Sequence, residues 1–96
     1  MSKFKGTPGP WVVRESSLSV SVVGLNGEAV FHESDKRIPG VMGDARLIAA
    51  APKLLDAAIM AIEHYDAYFG GSAPDDLPWV PVMREAIKEA LGEDAP

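Results

Sequence analysis

The chain has 96 residues, no cysteine, 47% apolar residues and a formal net charge of −5. That length suits one small domain, and the missing cysteine excludes disulfides and thiolate metal sites. No apolar run reaches the roughly 18–20 residues of a membrane span, and the opening Met-Ser-Lys-Phe-Lys has no signal-peptide core, so a cytosolic protein is expected.

Residues 1–10 read as an extended arm, because Pro8 and Pro10 fix their own φ and steer the residues before them away from helix. Residues 11–92 are expected to form a single domain, with 93–96 a frayed tail. Trp11-Val12-Val13 starts a short strand ending near Arg14. Leu18, Val20 and Val22 alternate with Ser19 and Ser21, the period of a strand with one buried and one wet face. Asn26-Gly27 is a strong hairpin signal, and the return strand runs from 28 to about 33. There Ala29, Phe31 and Glu33 share one face, and Val30 and His32 the other. A fourth, edge strand is expected around 38–42, limited by Pro39.

The period then changes. Asp44 is an N-cap candidate for a short helix over 44–50, and Pro52 opens a second helix reaching Phe69; a single kinked helix is the alternative. The stretch 53–69 is apolar around more of its circumference than a small sheet covers, which implies a homo-oligomer. Gly70-Gly71-Ser72-Ala73-Pro74 forms a loop. Asp75 or Asp76 caps a last helix whose inner seam is Met83, Ile87, Ala90 and Leu91, opposite Arg84, Glu85, Lys88 and Glu89. Strands first and helices after give an α+β fold, a β-meander of three to four strands followed by two to three helices.

The net charge is an average over unlike halves. Residues 1–53 hold seven of the nine basic residues against five acids, and residues 54–96 hold Arg84 and Lys88 against nine acids. The first half is therefore +2 and the second −7, too acidic for extended nucleic acid but open to one small anion. Two histidines, His32 and His64, without ligand spacing do not make a metal site, and no cofactor is implied. No serine has a nucleophile-elbow context, and Gly70-Gly71 lacks the lysine of a phosphate loop, so an enzyme is not expected.

Trp11 close to Arg14 could stack a base while the guanidinium takes phosphate; the plain alternative is a core tryptophan. Arg46, near a helix start, could join spare N–H groups on an anion, or it snorkels or pairs with Asp44. His32 and one of Lys36 or Arg37 complete the candidate ligand-binding set. A solvated basic face is the simplest alternative for all the cations.

Thr7-Pro8-Gly9-Pro10-Trp11 and Asp44-Ala45-Arg46-Leu47-Ile48-Ala49-Ala50-Ala51-Pro52-Lys53-Leu54-Leu55 resemble the TPGPW and ANARLIAAAPELL-type motifs of a group of small phage and prophage proteins. Gly43-Asp44 replaces the usual alanine-asparagine, and Lys53 the usual acid. The resemblance implies phage origin and action in the host cytoplasm. Its size and class are similar to those of phage sponges that sequester cyclic nucleotide immune signals between subunits. The expected function is sequestration of a small anionic ligand, a nucleotide, by a homo-oligomer without membrane contact. The rival is a module that binds a host protein through the acidic helical surface, and a nucleotide hydrolase comes third.

Overall fold

In a computed structural model that describes residues 4–69 and 77–92, the order is three strands and then two helices, an α+β fold. The strands are β1 (Val12–Glu15), β2 (Val20–Val23) and β3 (Ala29–Glu33), and the helices are α1 (Val41–Phe69) and α2 (Trp79–Leu91). The sheet is an antiparallel meander in the order β1-β2-β3.

Two turns fix its register. Between β1 and β2 the Ser16 hydroxyl accepts the N–H groups of Leu18 and Ser19, and the Ser16 N–H bonds the Ser19 carbonyl. This serine turn competes with the ladder and removes Leu18 and Ser19 from the strand, leaving Leu18 exposed. Between β2 and β3 the Gly27 N–H reaches the Gly24 carbonyl, with Gly27 at φ +84°. Asn26 keeps negative φ, so the turn is not the two-residue primed type. The register then shifts between Val22 and Val23: Val22 faces Phe31 while Val23 faces Ala29. The extra residue is Val30, which packs with Phe31 against the core rather than sharing a face with His32.

The expected fourth strand does not form. Gly40, at φ +84°, reverses the chain, and Val41 and Met42 already belong to α1. Asp44 therefore lies in the first turn of α1, where its charge suits the helix dipole, and is not the cap residue. Residues 44–50 and 53–69 belong to one helix, with Pro52 inside it. Proline there removes a hydrogen bond and crowds the Ile48 carbonyl, at a cost of about 3 kcal/mol that packing must offset. The Asp75 and Asp76 caps and the 93–96 tail lie outside the described residues. At the start of α2, Pro78 occupies the cap position without a side-chain bond.

The chain divides into two compact units. In Lys5–Lys53 the core is Val20, Val22, Val41 and Ala45, joined by Trp11, Val13, Phe31 and Ile48. Strand alternation and the first turns of α1 thus bury the same patch from two sides. In the second unit, from Leu54 onward, Ile62, Tyr65 and Val80 are buried, with Met83 and Ile87 packed on them. Arg84 does not lie on the outer face of α2: it donates two bonds to the Asp66 carboxylate, at 2.8 and 3.2 Å. Ala90, expected in the seam, is exposed.

Candidate functional site

The wet face of the sheet carries a short polar row. Arg14 lies opposite Ser21 across β1 and β2, and Ser21 lies opposite His32 across β2 and β3. Side chains directly opposite on one face have Cβ atoms about 4.5–5.5 Å apart, so the three form one neighbourhood. The Ser21 hydroxyl and His32 Nδ1 are 2.7 Å apart. The carboxylates Glu15 and Glu33 alternate to the other face, opposite Val20. Arg14 has no ion pair among the described residues, and both Arg14 and His32 are exposed. A guanidinium beside a hydroxyl–imidazole couple, which keeps one donor outside its own bond, suits a small oxyanion. A serine–imidazole couple is also the start of a nucleophile–base pair, but no carboxylate bonds the other ring nitrogen of His32 among the described residues.

The remaining candidates lie elsewhere. Trp11 is half-buried against the sheet–helix core, and its Nε1–H donates to the Thr7 carbonyl at 3.0 Å. Two residues before Val13, it belongs with the core side and not with Arg14. Lys36 Nζ sits 3.2 Å from a Glu15 carboxylate oxygen. Arg37 grips Asp35 through Nε at 2.8 Å and Nη2 at 3.2 Å, and this holds the Asp35 carboxyl below the usual range. Both cations are engaged by carboxylates, which weakens their claim on an external anion. Arg46 is exposed on α1, and no pair with Asp44 forms. Strand alternation identifies Ser21 only as a wet-face residue; its partnership with Arg14 and His32 depends on the strand register.

A second feature lies within the Leu54-onward unit. Tyr65 packs on Phe69 at 4.9 Å between ring centroids and on Trp79 at 5.3 Å. Together with Ala57, Met60, His64 and Tyr68, these rings border an open apolar cleft of about 730 Å³. Tyr65, Tyr68 and Phe69 come from one helix, whereas Trp79 is brought to the cleft by α2. Among the described residues there is no cluster of three or more His, Cys, Asp or Glu side chains placed to hold a metal ion. No described helix is long and apolar enough to cross a membrane.

Two curated relatives are similar to this chain. Anhydro-N-acetylmuramic acid kinase of Rhodopseudomonas palustris strain ATCC BAA-98 / CGA009 is 31% identical over 83 residues, covering 86% of this chain and 21% of the kinase. The kinase of the same name from strain HaA2 is 28% identical over 78 residues, covering 81% and 20%. The chain thus spans about a fifth of the length of the curated relatives it matches. No solved structure matches. Residues 1–94 match the family of Salmonella phage P22 protein Y8K6, and the chain belongs to that phage family.

Proposed function

We propose that this phage protein is a non-enzymatic binder that sequesters a small anionic ligand of the host, with a cyclic nucleotide immune signal as the ligand class. The observation that carries this reading is the Arg14–Ser21–His32 row on a sheet face whose neighbouring carboxylates point away. Arg14 supplies a planar fork for two phosphate oxygens, and the Ser21–His32 couple supplies one further donor beside it, the N–H or O–H left outside their mutual bond. The acidity of residues 54–96 favours a ligand with few phosphates over a long polyanion. With Trp11 held in the core, the ring that a base would meet on this face is the His32 imidazole.

The test is depletion of a panel of cyclic di- and trinucleotides and cyclic ADP-ribose isomers, with ligand recovered unchanged after heating the protein. Arg14→Ala and His32→Ala are each expected to weaken binding about tenfold or more, as the loss of a charge-assisted hydrogen bond does. Lys36→Ala, Arg37→Ala and Trp11→Phe are expected to bind like the parent. No depletion of any compound, or equal loss in both groups of variants, would sink the reading; recovery of an altered product would favour a hydrolase. The rival reading, a module for a host protein, draws on the exposed apolar cleft beside Tyr68 and Trp79.

A further inference from the structure

The Ser21 hydroxyl and the His32 imidazole form a couple whose capacity to donate depends on one proton. The hydroxyl oxygen and Nδ1 stand 2.7 Å apart, which is a single hydrogen bond whichever partner donates. A neutral ring brings one N–H to the couple and the serine brings its O–H. One of these closes the bond between the two residues, and the other is left for a ligand. In the protonated ring Nδ1 carries a hydrogen and has to donate to the hydroxyl oxygen. The serine O–H and the Nε2–H then both lie outside the bond, and the ring adds a positive charge. Ser21 is the middle member of the row, opposite Arg14 across one ladder and His32 across the other. The donor that protonation releases is therefore the one beside Arg14.

The surroundings of the ring supply no competing anion. On this face β1 contributes Arg14, and β2 flanks Ser21 with the buried, uncharged Val20 and Val22. Glu15 and Glu33 alternate to the other face, where α1 packs through Val41 and Ala45, and Glu15 is engaged by Lys36. The Glu28 carboxylate accepts the Asn26 N–H, and Asp35 is held by Arg37. Among the described residues no carboxylate pairs with His32, so the anion that would complement an imidazolium here has to come from outside.

We infer that anion binding at this row takes up a proton, so that the oxyanion is held most tightly when His32 is an imidazolium. The inference rests on the anion-binding reading above and adds the pH response of that site. Its sign follows from linkage: an anion that stabilises the charged ring is in turn bound more tightly by it. Affinity therefore falls as pH rises through the range in which imidazoles change charge.

Sulfate is the probe, because it remains a dianion across the range, about pH 5 to 8, in which histidine changes charge, so any pH response belongs to the protein. Titration of the full chain with sulfate, followed by NMR, is expected to give binding about tenfold tighter near pH 5.5 than near pH 8, as a gained charge-assisted hydrogen bond does. Near neutral pH the His32 ring signals should move toward those of imidazolium on adding sulfate, compared with chloride at equal ionic strength. Those of His64, the other histidine of the chain, should not. His32→Gln, which keeps a side-chain N–H, should bind sulfate with one affinity across the range, and His64→Gln should keep the full response. Equal binding near both pH values overturns the inference and leaves the anion-binding reading standing. A pH response that survives His32→Gln overturns it too, because the proton then sits elsewhere. Sulfate that binds at neither pH removes the anion site, and the inference with it.

Discussion

Gly9 shows how little room the arm has where it meets α1. A Cβ added there would stand 2.8 Å from the Pro52 Cβ and 3.2 Å from its Cγ, inside contact distance. Two residues on, Trp11 enters the core shared with Ala45, and its indole N–H closes back on the Thr7 carbonyl. The two segments that carry the phage resemblance are therefore packing partners, and their residue types are explained by fit before any ligand is considered. Gly9→Ala is expected to lower stability by about 1–3 kcal/mol, the usual cost of overpacking. Removing the opposing Cβ with Pro52→Gly should recover part of that loss, so a double-mutant cycle by urea denaturation should give a favourable coupling. Additive effects would mean that the contact carries no energy.

At the scale of elements, the strands were legible because alternation and the glycine turn both report the sheet period. What the sequence obscured is local. The Ser16 turn shortens β2, the bulge turns Val30 inward, and Gly40 starts α1 three residues before Asp44. Pro52 reads as a boundary by propensity, yet it lies inside α1, where tertiary context overrides propensity. The helices from Leu54 onward are joined by the Asp66–Arg84 pair. Hydrogen bonding from Arg84 lowers the Asp66 carboxyl below its ordinary value of 3.8, against a smaller opposing effect of burial. Because the folded-state value is the depressed one, the stabilisation is complete above the ordinary value and is lost as pH falls through the folded one. Asp66→Asn should therefore melt lower than the parent at pH 7, and the gap should close on acidification toward about pH 2. A gap that stays constant with pH would show that the ion pair does not contribute.

For the whole molecule, charge separation along the chain was the most informative property of the sequence, and it bears on what the protein avoids. The candidate site was legible as residue types but not as a constellation. Arg14 and His32 could be named, whereas the engagement of Lys36 and Arg37 by Glu15 and Asp35 depends on turns that propensity does not resolve. With a net charge of −5, and with Lys36 and Arg37 engaged by Glu15 and Asp35, we expect no tight binding of a long polyanion. A duplex of about 30 base pairs should give no mobility shift near physiological salt, whereas a salt-sensitive complex would require a basic surface absent from the described residues.

The Gly9–Pro52 contact has a topological consequence. It lies near both ends of the Lys5–Lys53 unit, so the chain enters and leaves that unit at almost the same point. A segment with adjoining ends behaves as a closed ring. Its natural opening is then the exposed tip at Leu25-Asn26-Gly27, where new termini would cut the hairpin connection and leave the clasp of arm and helix intact. Circular permutation at that tip, rather than truncation of the arm, is the rearrangement this unit is built to tolerate.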